Sequence, residues 1–313
     1  MAVSATAPPS SATHRPWWVR RLRRLPLELL VLAACVYGLV AVYAAEKFTH
    51  PLRQAVPPCS VYGLTCTDVQ FPSATDAIPL RGWAIHGGGK ATILLLHGRD
   101  GRRDDPSLGL MDIAHGLLDQ GYNVFTFDFR AHGLSGGDRY SIGDWERRDV
   151  AGALAYLQGH GVQQIGAMGF SMGAGTLLRT TPDHPELRAV VLDSPFAELR
   201  PIIERRFTGV SGLPLIFVPG VLLAAQDIFG MNVDDNKPEQ EMARLGDRPV
   251  FLIHAGGDTY IPVSQAYTLQ RIGASDPHFQ SWIGAGSEHV RMFKDHRAEY
   301  MQRVLAFFGT YLP

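Results

Sequence analysis

From Val61 onward, short apolar runs alternate with longer amphipathic segments, and this rhythm restricts the fold more than any other feature. "DVQF" and "LRGWAIH" read as an opening pair of strands. "ATILLLHG", "NVFTFDFR", "QIGAMGFS", "AVVLDSP", "PVFLIHA" and "FQSWIGAG" read as six more. Several are continuous apolar runs rather than alternating ones, as expected of strands covered on both faces. Between them, "LMDIAHGLLDQGY", "DWERRDVAGALAYLQGHG", "MGAGTLLRTTPDHP" and "YIPVSQAYTLQRIG" carry helical patterns. Asp144 is the candidate N-cap of the second. Strand alternating with helix predicts an α/β fold, a mostly parallel eight-stranded sheet flanked by helices. One interval, about 197–247, breaks the rhythm and has no clear strand. Its apolar "LPLIFVPGVLLAAQDIF" reads as a buried helix pair, a small lid over a pocket, or a surface touching a membrane.

Ahead of the sheet lies "LPLELLVLAACVYGLVAVYAA", Leu25 to Ala45, preceded by Arg15, Arg20, Arg21, Arg23 and Arg24. Its uncharged part, Leu29 to Ala45, has 17 residues, and the whole run has 21. As helix these lengths reach roughly 25–31 Å, enough to cross the hydrocarbon core of a bilayer. Trp17 and Trp18 suit the interface, and the arginine excess predicts a cytoplasmic N-terminus with the remainder exported. The expected organisation is a basic segment 1–24, a transmembrane anchor 25–45, a linker 46–60 and an α/β domain 61–313. Two processed forms compete with an uncleaved anchor. "VYA" before Ala45 suits signal peptidase, which would release the protein. "LAAC" ending at Cys35 resembles a lipobox, although the run stays apolar after it.

Cys59 and Cys66 are seven residues apart between anchor and domain, and in an oxidising compartment they are candidates for a disulfide. No second Cys/His pair has metal-ligand spacing, so no metal site is expected. A formal net charge of −1 gives no basic footprint for nucleic acid.

The stretch "IGAMGFSMGAG" sets Ser171 between Gly169 and Gly173, after a strand and before a helix. In such a G-x-S-x-G turn the serine occupies a strained backbone position, and the flanking glycines let strand and helix approach closely. The N–H of Met172 would then point, at a helix N-terminus, to where charge develops on an attacked carbonyl. A serine hydroxyl needs a base, and the base needs an orienting acid. His289 in "GAGSEHVRMF" follows the last strand, and Asp258 in "FLIHAGGDTYIP" follows the strand before it. The chain order Ser171, Asp258, His289 is that of one fold in particular. Asp193, after "AVVL", is the competing acid. A second oxyanion donor is expected from "LLLHGRDG", at the N–H of Arg99, with His97 a structural loop residue.

"HGRDG", "FDFRAHGLSGG", "GFSMG", "IHAGGDTYIP" and "SEHV", in this order and spacing, resemble the α/β-hydrolase superfamily. They look most like its serine hydrolases of the prolyl-oligopeptidase-like and lysophospholipase-like branches. The resemblance spans Val61 to Pro313 and implies nucleophile Ser171, acid Asp258, base His289 and oxyanion donors Arg99 and Met172. It implies no cofactor. Relatives usually carry glycine where Ala131 stands, a departure confined to a loop turn. Asp128 and Arg130 in that loop read as structural.

The expected activity is hydrolysis of carboxylic esters through an acyl-enzyme, on a small-molecule or lipid acyl substrate. The nearest rival is a serine peptidase of aminopeptidase type; the stretch before the catalytic core is far too short for a propeller, which leaves small single-domain peptidases as the form of that alternative. A non-catalytic membrane-tethered binding module would lack a triad member, and none is missing.

Overall fold

A computed structural model describes residues 17–89 and 91–313. Residues 1–16 of the basic segment, with Arg15, lie outside the described residues. Helix α1 (Trp17–Thr49) carries the apolar run, and from Arg24 to Thr49 it is long and apolar enough to cross a membrane or to act as a signal sequence. From Arg24 to Val36 it is exposed, whereas Ala41, Ala44, Ala45 and Thr49 are buried against the rest of the chain. The helix thus continues into the segment 46–60. There Arg53 donates to the carbonyls of Gly133 (3.1 Å) and Ser135 (2.6 Å), so the connecting chain is bound to the domain it enters.

The sheet comprises β1 (Cys66–Pro72), β2 (Pro79–Ile85), β3 (Thr92–Leu96), β4 (Asn123–Phe127), β5 (Ile165–Phe170), β6 (Leu187–Asp193), β7 (Val250–Ala255) and β8 (Phe279–Gly284). Their spatial order is β1-β2-β4-β3-β5-β6-β7-β8. The β1–β2 and β2–β4 pairs are antiparallel and all others parallel. Every expected strand is present. Strands β3, β5 and β7 are buried along their whole length because helices cover both faces, which is why their sequences are apolar without alternation.

The period of two sends successive side chains to opposite faces. Ile93 and Leu95 of β3 join the core with α2 (Leu110–Asp119), whereas Leu94 and Leu96 join the core with α3 (Glu146–Gly159) and α4 (Met172–Thr180). The second face also receives the end of α1 and the interval after β6. That interval is helical, with α5 (Leu199–Ser211), α6 (Val218–Asp227) and the short α7 (Pro238–Met242). Helix α8 (Val263–Gly273) completes this layer. Beyond the four helical segments read from sequence, α9 (Met292–Asp295) and α10 (Arg297–Tyr311) close the first face through Tyr300, Val304, Phe307 and Phe308.

Asp144 does not cap α3. The helix starts at Glu146, and the Ser141 hydroxyl accepts from the N–H groups of Asp144 (3.1 Å) and Trp145 (2.6 Å). The Asp144 carboxylate instead pairs with Arg179 at 3.0 Å. A buried arginine one helix away outcompeted the local cap.

Candidate active site

The site is built where β5, β7 and β8 end at the carboxyl edge of the parallel strands, the usual location for ligands in such sheets. Strand β5 ends at Phe170 and α4 begins at Met172, leaving Ser171 alone at the bend with φ +52° and ψ −113°. A non-glycine residue in that region is strained and is held there by its surroundings. Its N–H donates to the Asp193 carbonyl at 2.8 Å and its carbonyl accepts from Gly175 N–H at 3.0 Å. The flanking glycines are required by contact. A Cβ on Gly169 would meet the Gly173 carbonyl oxygen at 2.5 Å, and one on Gly173 would meet the carbonyl oxygens of Leu96 and His97 at 2.5 Å each.

Asp258 lies in the turn after β7, its carboxylate buried. One oxygen accepts from the N–H groups of Tyr260 and Ile261, both at 2.8 Å, which fixes the plane of the group. The other lies 2.6 Å from His289 Nδ1. His289, in the loop after β8, brings Nε2 to 2.9 Å from Ser171 Oγ. A carboxylate at Nδ1 sets the tautomer: Nδ1–H donates to Asp258, and Nε2 is left to accept the serine proton. Residues 118 and 31 positions apart in sequence therefore form one continuous hydrogen-bonded chain. Asp193 is not part of it. Its carboxyl accepts from Tyr300 Oη (2.5 Å) and Ser194 Oγ (2.8 Å), and burial pushes it up to about 6 despite those bonds.

Arg99 and Met172 border the same pocket as Ser171. The loop carrying Arg99 packs on the elbow so closely that a Cβ on Gly98 would lie 3.5 Å from that of Ser171. His97 is wholly buried, with Nε2 accepting from Phe129 N–H (3.0 Å) and Nδ1–H donating to the Gly98 carbonyl (2.7 Å). Burial lowers its pKa, so it is a neutral strut. Asp128 binds Arg103, and Arg130 binds Asp149 at 2.8 Å, both pairs buried in the loop that supports the site. Ala131, where glycine is usual, has φ +61°: the turn demands a left-handed residue and here an alanine bears the strain.

Two openings meet at Ser171. One, about 500 Å³ including space open to solvent, runs beneath α5 and is walled by Phe196, Leu199, Ile202, Ile203, Val210 and Phe48, with Arg99 and Arg206 as its charged members. The other, about 590 Å³ on the same measure, is bordered by Asp100, Asp105, Ser107 and His289. Sequence reading did not place Tyr260, whose ring stacks on His289 at 5.0 Å, nor Phe48, which reaches the pocket from the end of α1. Phe48 had no local signal, because its role depends on how α1 packs. Cys59 and Cys66 are joined as a disulfide with Cα atoms 6.1 Å apart, and Cys35 is exposed on α1. Among the described residues, no group of three or more His, Cys, Asp or Glu side chains is arranged to hold a metal ion.

A family model described as "Serine aminopeptidase, S33" matches residues 88–237. The chain is 26% identical over 299 residues to the uncharacterized protein YfhR of Escherichia coli (strain K12), across 92% of this chain and 95% of that one. It is 26% identical over 192 residues to the lysophosphatidylserine lipase ABHD12 of Danio rerio, across 58% of this chain and 47% of the fish protein. The structure of the Pyrococcus furiosus esterase Pf2001 matches with a TM-score of 0.71 and 26% identity, over 84% of this chain and 100% of the esterase.

Proposed function

From its place in the α/β-hydrolase superfamily, we propose that this chain is a membrane-anchored serine hydrolase that cleaves carboxylic esters of apolar acyl groups. The observation that carries the reading is the hydrogen-bonded chain Asp258–His289–Ser171 at 2.6 and 2.9 Å. In the reaction His289 Nε2 takes the Ser171 proton as Oγ attacks the ester carbonyl. The N–H groups of Arg99 and Met172 receive the developing oxyanion. The imidazolium, held by Asp258, then protonates the departing alcohol. Water attacks the acyl-enzyme with His289 again as base, releasing the acid and restoring Ser171.

The two openings support an ester with unlike ends. The apolar space beneath α5 suits an acyl chain, and the opening by Asp100, Asp105 and Ser107 suits a polar alcohol and the hydrolytic water. The rival aminopeptidase reading needs a carboxylate on the acyl side to hold a free amine. The charged members there are Arg99 and Arg206, which repel one. The esterase Pf2001 and the lipase ABHD12 favour the same choice.

For topology, the arginines before the apolar run favour a cytoplasmic N-terminus with the catalytic domain on the other side. The Cys59–Cys66 pair suits the oxidising compartment this implies. The test of function is turnover of p-nitrophenyl butyrate against leucine p-nitroanilide by the full chain and by Ser171→Ala. The ester should be preferred and the variant should lose at least about 10⁴-fold in kcat with its melting temperature unchanged. Full activity in Ser171→Ala, or preference for the anilide, overturns the reading.

A further inference from the structure

The helical interval and the N-terminal helix enclose a second cavity between the last turns of α1 and the end of α5. It measures about 940 Å³, including space open to solvent, and is walled by Val40, Tyr43, Ala44, Phe48, Val210 and Leu213, with Lys47 and Ser211 as its polar members. Phe48 and Val210 also wall the apolar pocket beside Ser171, so the two spaces adjoin across these side chains. Phe48 is held by stacking on Phe207 with ring centres 5.9 Å apart. The cavity thus includes space open to solvent and shares the Phe48 and Val210 side chains as a common wall with the pocket beside Ser171.

Its position relative to the anchor identifies what enters. Tyr37 of α1 donates its hydroxyl to the Ile216 carbonyl (2.8 Å), accepts from Gly220 N–H (3.2 Å), and stacks on Phe217 at 4.9 Å. Tyr37 lies 13 residues beyond Arg24. At 1.5 Å per residue that is about 20 Å along the helix, short of the roughly 30 Å of hydrocarbon that an anchor beginning at Arg24 crosses. With α1 as the proposed anchor, the segment joined to Tyr37 falls within the far leaflet. Its exposed side chains fit that solvent: Leu215, Ile216, Leu223 and Ile228 are each more than half exposed. Such a set of large apolar groups is costly in water and favourable in lipid.

We propose that the groove between α1 and α5 admits one acyl chain of a membrane lipid directly from the leaflet on the catalytic domain's side. The chain passes between Phe48 and Val210 into the pocket beneath α5, which brings the ester carbonyl to Ser171 while the polar head faces Asp105 and Ser107. This assignment rests on the esterase reading of Ser171. It makes α1 a wall of the substrate site as well as a tether, and it makes a single-chain acyl lipid of the bilayer the substrate class. A substrate arriving from water needs neither the immersed segment nor a groove opening beside the anchor.

The test uses the full chain carrying Ser171→Ala in phosphatidylcholine vesicles containing a single-chain phosphatidylcholine with a mid-chain diazirine on its 16-carbon tail. After irradiation, adducts are mapped by mass spectrometry. The proposal expects adducts on Tyr43, Phe48, Val210 and Leu213, falling at least fivefold when Val40→Trp or Leu213→Trp fills the groove. Adducts confined to the outward face of α1, such as Leu29, Leu32 and Leu39, overturn it, as do cross-links of the groove to a second copy of the chain. In parallel, each groove variant with Ser171 intact is compared on 4-carbon and 16-carbon p-nitrophenyl esters, and the 16:4 ratio of kcat/KM should drop at least tenfold. A labelled groove with no hydrolysis of either ester by the unaltered chain sinks the esterase reading while keeping the lipid site. Hydrolysis of the short ester with an unlabelled groove sinks this inference alone.

Discussion

The elbow at Ser171 and the helical interval from 197 to 247 border the same pocket but are specified in different ways. At the elbow, backbone meets backbone: the carbonyl oxygens of Leu96, His97 and Gly173 leave no room for side chains at Gly169 and Gly173. In the interval, side chain meets side chain, and loosely. Val210, Leu215 and Ile216 are exposed, and Gly209 and Gly212 have nothing near the place a Cβ would occupy. The first region tolerates one conformation. The second is defined by the neighbours it packs on, α1 above all. This is the division expected between a preorganised reacting centre and the surface that selects what reaches it.

The largest effect that sharpens the contrast falls on the reacting side. Asp258→Asn should lower kcat on p-nitrophenyl butyrate by on the order of 10³–10⁴-fold, because the amide presents the wrong partner to His289 Nδ1. The 16:4 chain-length ratio should stay as it was. A change in that ratio as large as the loss in rate would show that the two regions are not separable.

Next is a pair of glycines. Gly173→Ala forces a methyl onto two carbonyl oxygens and should cost roughly 2–4 kcal/mol of stability, with activity lost. Gly209→Ala, on an open face of α5, should instead stabilise by about 0.5–1 kcal/mol. Urea unfolding in detergent measures both. Equal effects would erase the distinction.

The same distinction explains what the sequence made legible. Ser171, Asp258 and His289 stand at strand ends that the apolar runs mark out, and elbow glycines are a local necessity that any reader of the chain can see. The eight strands were legible for a similar reason, since burial on both faces leaves an unbroken apolar imprint. Phe48, Tyr260 and the α1–α5 groove were not. Each depends on which distant surfaces meet, and a phenylalanine in "EKFTH" looks the same whether it lines a pocket or faces solvent. The cap of α3 fell between the two: Asp144 had the right local chemistry but was taken by Arg179. The interval 197–247 showed its composition and concealed its partner.

Titration gives a smaller effect and again separates the regions. His97, His132 and His254 are buried around the reacting side, whereas neither α1 nor the interval 197–247 contains a histidine. Burial, reinforced by His97, Arg53 and Arg99, lowers the His132 pKa to about 3, and burial lowers those of His97 and His254 as well. The unfolded chain takes up these protons below about pH 6.5 while the folded chain does not. Stability is therefore full above that pH and declines as pH falls toward 3, by about 2 kcal/mol at pH 5 from His132 alone. Asp193, raised to about 6, and Asp149, raised to about 7 by burial despite its pairing with Arg130, oppose this in sign as pH falls through those values. The His132 share is therefore read by difference: from pH 7.5 to 5 the stability of His132→Gln relative to the unaltered chain should rise by about 2 kcal/mol in urea unfolding. A constant difference would mean that this imidazole is reached by protons in the folded state.

The smallest effect belongs to the contact between α1 and the interval 197–247. Tyr37→Phe keeps the stacking on Phe217 and removes the hydroxyl that joins the Ile216 carbonyl to Gly220 N–H. In the leaflet proposed above, both backbone groups lose a partner that no water replaces, so the local cost there is about 1–2 kcal/mol. The loss falls on α1 and α6, remote from Asp258 and His289, so kcat on a 4-carbon ester should hold within twofold. Amide exchange across 213–227 should rise about five- to thirtyfold in vesicles, the kinetic equivalent of that energy where opening is local. If exchange rises as much at Ser171 as at Gly220, the interval and the elbow open together, and the two regions are one rigid unit after all.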